Sequence, residues 1–163
     1  MDSIDVHTHS TASDGSMTPS ELVRHAASCG LRAVALTDHD TSVGLSEAQQ
    51  EANEAGSELV HGVEVATWQD KTELHIVGLD INERDPQFQD AMALMQQIRE
   101  DRNNQMIARM QAAGVDITPE KLHAKEGTGV LTRAHFAGYL LSVGFVKRIK
   151  EAFDRYPGHG QPF

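Results

Sequence analysis

Two histidines stand two residues apart near the start of the chain, in Ile4-Asp5-Val6-His7-Thr8-His9, and Asp14-Gly15 follows shortly after. Side chains alternate along an extended strand, so both imidazoles share one face, about 6.5 Å apart. That spacing lets them converge on one metal ion or on two adjacent ones. Alone, an H-x-H pair is as often incidental to a half-exposed strand, and Asp-Gly is usually only a turn. Three further residues change the weighing. His39 lies between two aspartates in Thr37-Asp38-His39-Asp40. Such a histidine is either exposed or a ligand oriented by neighbouring carboxylates, and Asp38 and Asp40 read as support rather than as ligands. Glu64 sits in the apolar run Gly62-Val63-Glu64-Val65, where a carboxylate is costly to bury unless it is paired or bound to a cation. His75 interrupts Leu74-His75-Ile76-Val77; taken alone it reads as a core histidine. Imidazoles mixed with carboxylates suit zinc, manganese or iron rather than calcium or magnesium. Six candidates exceed one tetrahedral shell, so a site with more than one ion is expected.

The surrounding pattern supplies elements to carry these groups. Residues 4–9 read as a strand. Thr18-Pro19-Ser20-Glu21 is a helix start, with Thr18 as N-cap, Pro19 at the first helical position and Glu21 completing a capping box. That helix turns Leu22, Val23, Ala26 and Ala27 inward and stops at Gly30. A buried strand over 32–37 ends at the polar His39 tip, and a second helix closes at Gly56. Residues 58–66 form a third strand, 68–73 turn the chain, and 74–79 form a fourth. This β-α-β-α-β order predicts a parallel sheet with helices outside, whose chemistry gathers at the C-terminal strand ends. From Pro86 onward the pattern is almost wholly helical: one long helix to Gly114, then shorter ones starting at Thr118-Pro119, at Thr132 and near Lys147.

Composition bounds the function. With 39% apolar and 23% charged residues, the 163-residue chain is an ordinary globular protein. A formal net charge of −10 argues against broad binding to nucleic acid but leaves room for a small phosphate ester in a pocket. No apolar run is long enough for a membrane span. The start of the chain lacks the basic and apolar stretches of a secretory leader. Together with the single cysteine, Cys29, this leads us to expect a cytoplasmic protein with no membrane partner. Cys29 reads as a small core residue.

H-x-H with a following Ser13-Asp14-Gly15, then Thr37-Asp38-His39-Asp40, Gly62-Val63-Glu64 and Leu74-His75-Ile76-Val77-Gly78 resembles the polymerase-and-histidinol-phosphatase (PHP) family over residues 4–80. The resemblance implies an α/β fold, here part of a distorted (β/α)7, TIM-like barrel with an inserted α-helical subdomain. It implies His7, His9, Asp14, His39, Glu64 and His75 as ligands of two to three divalent ions, manganese, zinc or iron, with Glu64 as bridge. The chemistry implied is attack on phosphorus by a water that the metals acidify, with no serine or cysteine nucleophile. The helical part resembles one branch, which removes the 3′-phosphate of nucleoside 3′,5′-bisphosphates and trims short RNA from the 5′ end. The expected division is 1–85 for the barrel, 86–156 for the insert and 157–163 for the return to the barrel.

The long helix bears on a phosphate substrate by itself. Phe88, Met92, Met95, Arg99, Arg102 and Met106 follow a 4-3-4-3-4 spacing and share one helical face. Two arginines interrupting an apolar stripe either snorkel at its edge or grip an anion by forked hydrogen bonds. Thr132 as N-cap places Arg133 and His135 in a first helical turn, where backbone N–H groups favour an anion. Arg99, Arg102, Arg133 and His135 are therefore the expected substrate contacts, a reading the branch resemblance shares. His25, His61, His123 and His159 match no motif and read as surface or packing residues.

The family also takes ligands from a later His-Pro and a D-x-H pair. Neither occurs after residue 80 here. The missing barrel half is therefore expected from the rest of a longer chain or from a second polypeptide. Two competing readings are a non-catalytic metal-binding PHP module and a metal-dependent amidohydrolase, which also opens on H-x-H.

Overall fold

A computed structural model describes residues 3–70, 72–126 and 129–156; the expected return to the barrel at 157–163, and His159 with it, lie outside the described residues. Chain order is β1 (Ser3–Thr8), α1 (Pro19–Ser28), β2 (Leu31–Leu36), α2 (Leu45–Ala55), β3 (Glu58–Gln69), β4 (Thr72–Leu79), α3 (Pro86–Ala112), α4 (Pro119–Glu126), α5 (Arg133–Ser142) and α6 (Ile149–Arg155). The chain divides into two compact units, Met1–Met95 and Gln96–Phe163. No helix among the described residues is long and apolar enough to cross a membrane.

In the first unit four strands form one curled sheet in the order β1-β2-β3-β4. Pairing is parallel between β1 and β2 and between β2 and β3. β4 departs from the expected parallel sheet: it pairs antiparallel with β3, from Gly62↔Leu79 to Gln69↔Thr72. A turn too short for a crossover helix allows no other direction. α1 starts as its residues dictate. Thr18 Oγ1 accepts from the Glu21 N–H, and Glu21 returns a carboxylate oxygen to the Thr18 N–H at 2.9 Å. Val23 and Ala26 of α1, with Leu45, Ala48 and Ala52 of α2, pack on Val34 and Leu36 of β2. Each large aliphatic side chain fully removed from water there stabilises by about 1.5–3 kcal/mol. Cys29 is not part of this core. It caps the end of α1 and is exposed, because the helix stops before turning it inward.

The second unit is helical. Its core gathers Met106, Ile107 and Met110 from α3, Leu122 from α4, and Phe136, Ala137 and Leu140 from α5. The stripe read on α3 is buried at Met92, Arg99 and Met106, while Leu94 and Ile98 are exposed at 61% and 55%.

Candidate metal centre

The six motif residues come from four strands or the loops that follow them, and strand register brings them together. Beyond β2 the parallel pairing with β3 reappears as an isolated His39↔Glu64 bridge. It is closed by Glu64 N–H to the Asp38 carbonyl (3.2 Å) and Asp40 N–H to the Glu64 carbonyl (2.9 Å). Gly62 lets the strands approach: a Cβ there would lie 2.7 Å from Thr37 Cγ2 and 2.9 Å from the Gly78 carbonyl. Asp40 then turns the chain with φ +49°, a left-handed conformation that aspartate tolerates. Its carboxylate accepts the Ala66 N–H at 3.0 Å.

Glu64 is the hub. Its Oε2 lies 3.0 Å from His7 Nε2, 3.0 Å from His9 Nε2 and 3.5 Å from His39 Nδ1, and its Oε1 lies 2.9 Å from His75 Nδ1. Asp14 stands across from it, 3.6 Å from His9 Nδ1 and 3.6 Å from His39 Nε2. Neighbouring imidazole centroids are 4.6–5.1 Å apart. Burial pushes the Glu64 carboxyl upward, but the His7 hydrogen bond and the nearby His39, His7 and His75 outweigh it and hold the group below its ordinary value.

Three overlapping triads could each hold an ion: His7, His9 and Glu64; His9, Asp14 and His39; His39, Glu64 and His75. Within each the donor atoms lie no more than 4.8 Å apart. The donor chemistry fits cations for a specific reason. A neutral imidazole carries one N–H. Yet His9 and His39 each face carboxylate oxygens with both nitrogens, and His75 does the same between Glu64 and Glu73, 3.5 Å from its Nε2. One nitrogen of each would meet an oxygen lone pair to lone pair. A cation between them turns that conflict into coordination.

Support comes from residues around the cluster. The buried Asp38 carboxylate accepts the Ser10 N–H (2.7 Å), the Ser10 hydroxyl (2.6 Å) and the Ser13 hydroxyl (2.5 Å). This clamp closes the loop that delivers Asp14. Ser13 Oγ is also 3.4 Å from His9 Nδ1. Gly15 completes the loop, since a Cβ there would sit 2.1 Å from the His9 carbonyl. The supporting role read for Asp38 and Asp40 matches this geometry, but nothing local in the sequence pairs Asp38 with Ser10 and Ser13.

The expected substrate contacts lie in the helical unit. Arg99 is buried, which sets aside snorkelling at a stripe's edge. Arg102 is half-buried and donates through Nη2 to Asn103 Oδ1 (3.0 Å), while Asn103 Nδ2 donates to the Leu131 carbonyl (3.1 Å). Asn103 was missed in the sequence, although it falls four residues after Arg99 on the same face. Thr132 caps α5 as read. His135 has an unforeseen task there: its Nδ1 accepts the Thr132 N–H at 2.9 Å, completing a capping box. Arg133 is half-buried at the same turn. His61, read as a packing residue, bonds Glu83 (3.0 Å) and Gln49 (2.8 Å).

A 5′-3′ exoribonuclease of Haemophilus influenzae is 39% identical over 96% of this chain and 57% of its own length. A 3′,5′-nucleoside bisphosphate phosphatase of Chromobacterium violaceum is 35% identical over 99% of this chain and 57% of its own. The chain thus spans little more than half the length of these curated relatives. Among solved structures, an amidohydrolase from Chromobacterium violaceum with bound sulfate and no metal superimposes with a TM-score of 0.86 at 35% identity, covering 98% of this chain and 56% of that one. The PHP domain profile matches residues 5–156, and the chain belongs to that family.

Proposed function

We propose that this chain is the metal-holding part of a cytoplasmic phosphoesterase that removes the 3′-phosphate from nucleoside 3′,5′-bisphosphates and acts on short 5′-phosphorylated RNA. The observation that carries the reading is the ring of four imidazoles around the buried Glu64 carboxylate, with Asp14 opposite. His7, His9, Asp14, His39, Glu64 and His75 are the proposed ligands of two to three manganese, zinc or iron ions, with Glu64 shared between two. Bound there, such ions would acidify water and offset the charge of phosphate oxygens. The chain's own groups do the positioning. The Asp38 clamp holds Asp14 in place, and the His39↔Glu64 pairing sets the distance between two ligand strands. Arg99, Arg102 and Arg133 are proposed to bind a phosphate of the substrate through charge-assisted hydrogen bonds. His135 joins them as a donor: the Thr132 N–H occupies its Nδ1, so the proton of the neutral ring sits on Nε2.

Two relatives named for nucleotide or RNA hydrolysis support the substrate class. The whole protein is proposed to complete a distorted seven-stranded barrel, with residues 1–85 as its first part and 86–156 as an inserted helical subdomain. The remaining strands would come from the rest of a longer chain or from a second polypeptide. β1 supports this, because it ends the sheet among the described residues and leaves Ile4 and Val6 exposed at 58% and 43%.

The test is phosphate release from adenosine 3′,5′-bisphosphate in the presence of manganese. The expected result is one phosphate released per nucleotide, lost on chelation and in His9→Ala. Equal release by His9→Ala would overturn the ligand assignment. Full metal occupancy without release by the complete protein would favour a non-catalytic module, and cleavage of amides alone an amidohydrolase.

A further inference from the structure

Trp68 is the chain's single tryptophan, and it stands 56% exposed on β3. An exposed aromatic is unremarkable by itself; its alignment here is not. Side chains alternate along β3, so Glu64, Ala66 and Trp68 share one face. The antiparallel register sets Ala66 opposite His75 and Trp68 opposite Glu73, and directly opposed residues lie on the same side of a sheet. The face that carries Glu64 and His75 therefore continues outward through Glu73 to Trp68. Contacts agree: His75 turns Nδ1 to Glu64 at 2.9 Å and Nε2 to Glu73 at 3.5 Å. Trp68 lies four residues beyond Glu64, about 13 Å along the strand. The β3–β4 hairpin is thus a wall that begins among the candidate metal ligands and ends in an exposed indole.

We propose that Trp68 is a nucleobase platform, stacking the base of a nucleotide whose phosphate occupies the Glu64 cluster. The proposal rests on the phosphoesterase reading above and adds the means by which a nucleotide is told from any other phosphate ester. Indole offers a broad flat π-surface, and base-on-aromatic stacking tolerates every base because each has a π-face. Such a platform selects for a base without selecting which base.

Since Trp68 is the only tryptophan, its fluorescence reports the contact directly. The chain, with zinc present, is titrated with adenosine 5′-monophosphate and, separately, with ribose 5-phosphate, which lacks the base. Saturable quenching by the nucleotide and none by the sugar phosphate is expected. By calorimetry, the preference for the nucleotide over the sugar phosphate should shrink roughly 5- to 150-fold in Trp68→Ala and persist largely in Trp68→Phe. Equal affinity for the two ligands, or an undiminished preference in Trp68→Ala, overturns the platform. If bisphosphate hydrolysis is present while that preference is absent, the platform fails and the phosphoesterase reading stands. If hydrolysis is absent while base-dependent quenching remains, the platform stands and that reading fails.

Discussion

The two polar clusters of this chain are built by opposite means and are proposed to take opposite ligands. In the sheet, residues 7 to 75 are brought into contact by strand register, so groups remote in sequence meet at about 3 Å. In the helical unit Arg99, Arg102 and Asn103 share one face of a single helix, and Asn103 ties it to the segment before α5 through the Leu131 carbonyl. The first cluster sets carboxylates among imidazoles in groups that could hold a metal ion. The second collects guanidinium groups, and it is proposed to take an anion. A single substitution in either should therefore remove one kind of ligand and spare the other.

The largest effect is expected from Glu64→Gln, which keeps the volume and removes the hub's charge. Metal content after dialysis against manganese or zinc, read by elemental analysis, should fall by at least one ion per chain. An unchanged count would dissolve the distinction between the clusters. Next, Arg102→Ala should leave metal content intact and weaken binding of inorganic phosphate roughly 10- to 150-fold, the equivalent of about 1.5–3 kcal/mol for a charged hydrogen bond. Calorimetry checks it, and a loss of metal would contradict it. Asp38→Asn touches no proposed ligand but leaves the Ser10 and Ser13 hydroxyls with a poorer acceptor. Metal affinity should drop about 10- to 100-fold, as for other outer partners of ligands, with phosphate binding through the arginines preserved. Wild-type affinity in competition with a chelator would show that the loop holds without its clamp.

The smallest effect concerns acid stability within the first unit. The His61 hydrogen bond is the main cause that holds Glu83 below its ordinary carboxyl value. A lowered carboxyl contributes stability in full above the unfolded value, about 4.3, and loses it as pH falls through the folded value. Glu83→Gln should cost less than about 1 kcal/mol at pH 6 and flatten the decline of the urea midpoint below pH 4.3. An unchanged slope would place the acid sensitivity elsewhere.

What was legible in the sequence follows the same divide. Period-2 spacing placed His7 and His9 on one face, and Thr18 to Glu21 announced α1, because both signals are local. The direction of β4 was not read, since an alternating run pairs equally well either way and only the brevity of the turn decides. Asp38's partners were invisible for a similar reason: Ser10 and Ser13 lie 28 and 25 positions from it, joined by folding alone. His135 was read as a substrate contact because Thr132 as N-cap sets it in the first turn of α5; its part in the cap itself was not read, since Thr-x-x-His is not the usual Glu or Gln form of a capping box. Asn103 was within reach, as the spacing that picked out Arg99 reaches it one turn later. Cys29 was assigned to the core on the general habits of cysteine, which do not say on which side of its terminus a helix stops.

The bridge between His39 and Glu64 bears on how this protein comes into being. That pairing, and the His7–Glu64 contact spanning 57 positions, can form only after long loops have closed. Loop closure is an entropic cost met before such contacts return anything, so non-local pairing forms slowly. Helical signal should therefore recover early in refolding, and competence to take up metal late. A metal-sensitive dye added during refolding would follow the last step of sheet assembly while circular dichroism follows the first events in the helices. A bound ion would, on this view, report finished topology.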